Sequence, residues 1–369
     1  MRGPGDPGEN VETHLTTNCG RKISPGSNQQ KIGGKTFNTF DLKKMNWSFS
    51  RERMLKDCEK KYFYHYIVPS YTAKQIDENI LKNVLFLRKL TNRHLLLGKV
   101  IHHTISESVH NFYKNHLVPL SEMMDKCWER FIRARQFSQD QKYLFQTATH
   151  PDFTILFEDF YGIDLHDHWL TQHYQKMKTA LRHFYKWFVT DTNQRWSDFE
   201  LIENEQLKSF LERDVQVWTV IDLLLKSPQN VWYIIDWKLS TFDWEKDSLQ
   251  LAFYGWYVHQ TYAKSCSLKM INFYLNTGYD HRFLWDEQLE ELTKSYFENS
   301  VRYLQAFHEK LNEKYPFRNL QTAKKKQLCW QCNFRKICLS RKGEEQKLNN
   351  LEHKNYYQRK EDVPSNWRN

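Results

Sequence analysis

The chain has 369 residues, 40% of them hydrophobic and 15% aromatic, and a formal net charge of +10. That apolar content can fill one large buried core or two smaller ones, which excludes a chain disordered throughout. No apolar run approaches the roughly 20 residues a bilayer span requires, so no membrane partner is expected.

In chain order, residues 1–44 are rich in Gly, Pro, Asn, Ser and Thr without helical or strand period, and predict a flexible extension. The opening MRGPGDPGENVETHL lacks the apolar stretch of a signal peptide, which predicts a cytoplasmic protein. Gly34-Lys35-Thr36 is not a phosphate loop, because Gln29 stands where the leading glycine would be and no apolar strand precedes it. A helical part is predicted over about 95–195. Val100, Ile101, Ile105, Val109 and Phe112 recur at three- and four-residue spacing; so do Met123, Met124, Cys127, Trp128 and Phe131, and Trp169, Leu170, Tyr174, Met177, Leu181 and Phe184. The pattern changes near Phe199, where a core of about 199–314 begins. Strands are predicted over 201–210, 215–225 and 231–239, the last two separated by the turn Ser227-Pro228-Gln229-Asn230. A helix over 248–263, a strand over 268–275 and a helix from about 286 to 314 follow. This order predicts an α/β domain over 45–342, with a mixed central sheet flanked by helices and a helical insertion before the core strands. A cysteine segment (315–342) and a polar tail (343–369) complete the chain.

The cysteine segment contains CWQCNFRKIC, with Cys329, Cys332 and Cys338 in C-x2-C-x5-C spacing. Three thiolates are one short of a closed metal site. The fourth candidate is Cys58, in FSRERMLKDCEKKYFYHY. Joining it to the others would close a loop of roughly 270 residues, a large loss of freedom for the unfolded chain. The chain has 7 cysteines, an odd count that argues against a disulfide framework; Cys19, Cys127 and Cys266 stand outside the cluster. From 315 to 342 the basic residues Arg318, Lys324, Lys325, Lys326, Arg335, Lys336, Arg341 and Lys342 meet no acidic one. Such a patch attracts phosphates, and Lys324, Lys325, Lys326, Arg335 and Lys336 are candidate nucleic-acid contacts; the alternative is a solvated basic surface.

IIDWKLS puts Asp236 and Lys238 two apart on a predicted strand, so both project to one side while Trp237 points to the other. A carboxylate for Mg2+ beside an ammonium that orients water suits phosphodiester cleavage. One strand earlier, Asp222 stands on an otherwise apolar stretch and is read as the end of a buried strand. Unless it caps the strand or forms a salt bridge, it must hold a cation, because a buried carboxylate is costly unpaired. Gln250 and Tyr254, four apart on the next helix, face one way and could hold a phosphate or pack as an aromatic edge. In LLLGKVIHHTISES, Gly98 starts or precedes a helix and His102 sits near its beginning.

These pieces, in order, are Cys58, Gly98 with His102, Ile221-Asp222, Asp236-Trp237-Lys238, Gln250 with Tyr254, and Cys329, Cys332 and Cys338. Over roughly residues 46–340 they resemble the PD-(D/E)xK nuclease superfamily, nearest its RecB-type branch with iron–sulfur cysteines, as in AddB and CRISPR-associated single-strand exonucleases. The resemblance implies a restriction-endonuclease-like core and His102, Asp222 and Asp236 as ligands of Mg2+ or Mn2+. It also implies Lys238 as base or water-orienting group, Gln250 and Tyr254 as a substrate-positioning pair, and a [4Fe–4S] cluster stapling the C-terminal segment. The expected activity is metal-dependent DNA hydrolysis, by an exonuclease acting on single strands or duplex ends in repair, recombination or defence against foreign DNA. Unwinding would come from a helicase or another subunit. The rival readings are a catalytically silent nucleic-acid-binding protein and a zinc-stapled adaptor. One departure is Thr219, where the family often has glycine three residues before the strand aspartate. Glu203 and Glu205 on the first strand both could line the site, and the sequence does not choose between them.

Overall fold

A local signal sets most of the elements. In the computed structural model, residues 45–71, 76–141, 154–165, 168–191, 194–240, 243–262, 267–311 and 319–338 are described. The expected extension (1–44), tail (343–369), Cys19 and Cys266 lie outside them. The N-terminal part holds β1 (Asn46–Trp47), α1 (Phe49–Asp57), α2 (Glu59–Tyr62) and α3 (Glu78–Leu87), all missed by periodicity. Short helices carry too few turns for a stripe, and each is set by its cap: the Asp77 carboxylate accepts from Asn79 N and Ile80 N to start α3. Then come α4 (Arg93–Tyr113), α5 (Leu120–Gln141), α6 (Phe157–Tyr161) and α7 (Trp169–Phe184).

The helix α4 corrects one expectation. Its cap is Asn92, whose side chain accepts from Leu95 N at 2.8 Å, so Gly98 lies inside the helix and His102 near its middle.

The strands are β2 (Glu200–Glu212), β3 (Val215–Lys226), β4 (Trp232–Lys238), β5 (Leu268–Tyr274) and β6 (Tyr279–Leu284), with α8 (Trp244–Thr261) between β4 and β5 and α9 (Glu287–Leu311) after β6. Together with β1 they form a 6-stranded mixed sheet. Parallel pairing of β4 with β5 requires a crossover, which α8 supplies. The strand β6, absent from the expected pattern, returns antiparallel to β5 through a turn in which Gly278 has φ +70°. Its residues are exposed or half-buried, so it carries no apolar alternation to read.

Three apolar clusters hold the layers together. One face of the sheet (Leu223, Leu225, Ile235, Trp237) packs on α4, α5 and α7 through Ile101, Ile105, Phe131 and Leu181. The other face (Ile221, Leu224, Ile234, Met270) packs on α8 through Leu251, Tyr254 and Val258. Phe253 and Trp256 of α8 join Trp47, Phe297 of α9, Leu55 of α1 and Phe334 of the cysteine segment in the third. Each such side chain, fully buried, contributes about 1.5–3 kcal/mol. No helix among the described residues is long and apolar enough to cross a membrane.

Candidate metal-dependent active site

A strand has two pairing edges. Along one edge of β3 runs β2. The other is shared: β1 pairs with Gln216 and Val217, and β4 pairs from Leu223 to Lys226. Between these lies Asp222, at the centre of β3 and not at a strand end as expected. There the ladder to β4 is replaced by a side chain, because Trp237 N donates to Asp222 Oδ2 at 2.8 Å. A carboxylate wedged into a sheet this way parts the two strands, whose ladder stops at Leu223 and Ile235.

Asp236 and Lys238 share the α8 face of β4, whereas Trp237 lies among Phe184, Trp187 and Phe273 on the opposite face. Lys238 Nζ is 2.6 Å from Asp236 Oδ2 and donates to Gln250 Oε1 at 2.8 Å, with Asp247 Oδ1 at 3.9 Å. Gln250 Nε2 in turn donates to the Tyr254 hydroxyl at 2.7 Å, and the Tyr274 hydroxyl donates to Asp247 Oδ2 at 2.9 Å. Gln250 and Tyr254 are therefore joined to each other and, through Gln250, to Lys238.

From the other side α4 brings His102. Its Nδ1 stands 3.5 Å from Asp222 Oδ2 and 3.5 Å from Glu205 Oε1. Ligand atoms of His102, Glu205 and Asp222 lie within 4.8 Å of one another. The structure thus separates the two glutamates that the sequence left open. Glu203 is buried and accepts from the Tyr257 hydroxyl at 2.7 Å and from the Tyr262 hydroxyl, away from His102. Thr219 is buried on β3, in register with Lys208.

The electrostatics suit a cation. Burial opposes the charge of His102, but the Asp222 and Glu205 carboxylates, with Asp236 behind them, push it up to about 10. Burial pushes Asp236 up to about 6; Lys238 pulls against this and Asp222 adds to it. Burial also works against the Lys238 ammonium, yet Asp236 holds its pKa above the ordinary lysine value. Several carboxylates are thus held at close quarters around one imidazole and one ammonium. Imidazole nitrogen with carboxylate oxygens is a donor set for Mg2+ or Mn2+. A second observation agrees. Asn272, in register beside Asp236 on β5, is wholly buried, and neither amide atom has a partner among the described residues. Leaving such a group unpaired costs about 1–3 kcal/mol, so a bound water or hydrated ion fits there.

Asp247, Asn272 and Tyr274 were not read from the sequence. Asp247 had a signal, since it precedes Gln250 by three residues and shares its helix face; Asn272 had none, because register alone brings it beside Asp236.

The predicted cysteines come together at a second place. Cys58, Cys329, Cys332 and Cys338 line one pocket with Lys61 and Tyr64. Burial pushes the Cys332 thiol up to about 11, and burial with Cys58 nearby raises Cys329. Cys127 is apart, buried in α5. Of the basic candidates, Lys324, Lys325, Lys326 and Lys336 are exposed, and Arg335 is half-buried. Arg335 stacks over Tyr161 at 4.2 Å, and Lys336 lies 5.8 Å from the Phe160 ring, so both also dock the cysteine segment on α6.

The family model described as the PD-(D/E)XK nuclease superfamily matches residues 46–339. Among curated proteins none matches.

Proposed function

The chain belongs to the PD-(D/E)XK nuclease superfamily, whose members are in general phosphodiester-hydrolysing nucleases, and from that premise we propose a divalent-metal-dependent deoxyribonuclease of the RecB-type branch. It acts as an exonuclease on single-stranded DNA or duplex ends. The observation that supports this is the convergence of His102 from α4, Asp222 from β3, and Asp236 and Lys238 from β4 at the place where β3 and β4 stop pairing.

His102, Asp222 and Asp236 hold the cation, Mg2+ or Mn2+. When bound, it supplies charge for the phosphate and lowers the pKa of a coordinated water. Lys238 steadies the attacking oxygen and the charge that develops on the phosphate. Gln250 fixes the Lys238 ammonium at 2.8 Å, and Tyr254 fixes Gln250. Buried as it is, Tyr254 acts by holding that pair in place. The exposed Lys324, Lys325 and Lys326 meet the DNA backbone, with Arg335 and Lys336 beside them. The four cysteines take a [4Fe–4S] cluster, supported by their meeting in one pocket from opposite ends of the domain. A helicase or other subunit of a repair or defence pathway delivers the DNA.

The test is incubation of the purified protein with end-labelled single- and double-stranded DNA in Mg2+ or Mn2+. Wild type should shorten labelled ends, and Asp236→Asn and Lys238→Ala should lose activity by at least a hundredfold while remaining folded by circular dichroism. Full activity in Asp236→Asn would sink the assignment. Iron and zinc analysis of anaerobically purified protein tests the cluster: zinc in place of iron rejects it.

A further inference from the structure

We propose that Glu205, which stands outside the motifs that carry the family resemblance, is an additional protein ligand of the divalent cation, and that β2 holds it in a strained backbone conformation to put it there. The inference rests on the cation site proposed above.

Glu205 sits in the middle of β2 with φ +50°. A non-glycine residue in the left-handed region costs roughly 1–2 kcal/mol, and inside a strand nothing local favours it. Pairing continues on both sides, Asn204 with Leu223 and Gln206 with Ile221, so the excursion is confined to the one residue opposite Asp222. Its consequence is geometric. Glu203, two residues earlier, lies where strand alternation would also send Glu205, and is taken up by two tyrosine hydroxyls. Glu205 reaches His102 Nδ1 at 3.5 Å, the same distance as Asp222 does. Its side chain is 26% exposed and that of Asp222 11%, so neither carboxylate is sealed off from an incoming cation.

The chemistry follows from the count. His102, Asp222 and Asp236 give one nitrogen and two carboxylates. Adding Glu205 gives three carboxylates, which outweigh the cation's two positive charges. Such a site retains the cation before DNA arrives and shifts towards harder, oxygen-preferring ions.

The experiment is calorimetric titration of Mn2+ into the metal-free full-length protein, with no DNA present. Glu205→Gln should weaken Mn2+ binding at least tenfold, whereas Glu203→Gln should leave it unchanged. Wild-type affinity in Glu205→Gln, with binding lost in Asp222→Asn, overturns the role of Glu205 alone. No Mn2+ binding by wild type removes the underlying site as well. The strain is tested by melting the metal-free protein. In an ordinary strand alanine is more stable than glycine; at φ +50° the order reverses, so Glu205→Gly should melt above Glu205→Ala. Alanine above glycine would refute the strained conformation.

Discussion

Lys238 is held by competing partners. In the metal-free protein its ammonium is the principal counter-charge to Asp236, at 2.6 Å, with Gln250 and Asp247 on its other sides. Removing one member of a buried ion pair leaves the other uncompensated, typically at a cost of 3–5 kcal/mol. We therefore expect Lys238→Met to destabilise the metal-free protein by about 3 kcal/mol in urea unfolding. Saturating Mn2+ should recover most of that loss, because the cation supplies the missing charge. An equal loss with and without Mn2+ would mean that Lys238 and the cation do not share Asp236. Glu203 and Glu205 make the complementary point. They are the same residue type two positions apart, and their different fates come from the left-handed backbone at Glu205, from tyrosine donors on and just past α8, and from an imidazole on α4.

At the scale of elements, α8 does two jobs. One side presents Asp247, Gln250 and Tyr254 to β4, and the other packs Phe253 and Trp256 into the third apolar cluster. The seat of α8 against the end of β6 depends on Gly255. A Cβ added there would come 2.6 Å from Trp285 Cε3 and 3.1 Å from Met270 Sδ. The Trp285 backbone is held in place, its N donating to Leu268 O at 3.0 Å. Gly255→Ala should therefore cost about 1–3 kcal/mol through overpacking, although alanine is the better helix former. Because Gly255 adjoins Tyr254, the variant should also lower nuclease turnover. A melting temperature equal to or above wild type would show that the α8 seat has slack.

At the scale of the whole domain, the segments around Cys58 and Cys329 are joined by contacts outside the cysteines themselves. Glu59, 1% exposed, accepts from Lys310 Nζ of α9 at 2.7 Å and from Gln321 N at 2.8 Å. Lys60 N donates to Gln321 O at 3.3 Å, and the rings of Tyr64 and Phe334 stack at 5.3 Å. Asn333 ties the same segment to the helical part, donating to Leu90 O and accepting from the Tyr161 hydroxyl, each at 2.7 Å. Hydrogen bonds to a charged group contribute about 1.5–3 kcal/mol each. Glu59→Gln should thus lower stability by roughly 2–3 kcal/mol in protein treated with a metal chelator, measured by urea unfolding. If the cysteines alone closed the domain, that substitution would be neutral in the chelator-treated protein.

What the sequence determined by itself was whatever a local period or spacing encodes. Alternation set Asp236 and Lys238 on one face of β4 and Trp237 on the other; helical periodicity joined Gln250 to Tyr254 and marked the buried stripes of α4, α5 and α7; the order of weak motifs singled out His102, Asp222 and the four cysteines. The short capped helices and the half-exposed β6 stayed hidden because they repeat too few times to form a pattern. Tertiary structure alone decided that β1 and β4 share an edge of β3 and part at Asp222, that Asn272 stands beside Asp236, and that Glu205 rather than Glu203 reaches His102. Those outcomes depend on pairing register and on one residue's φ, and neither leaves a trace in residue type or spacing. They follow from which strands and helices meet, and that is settled by the burial of apolar faces over the whole domain.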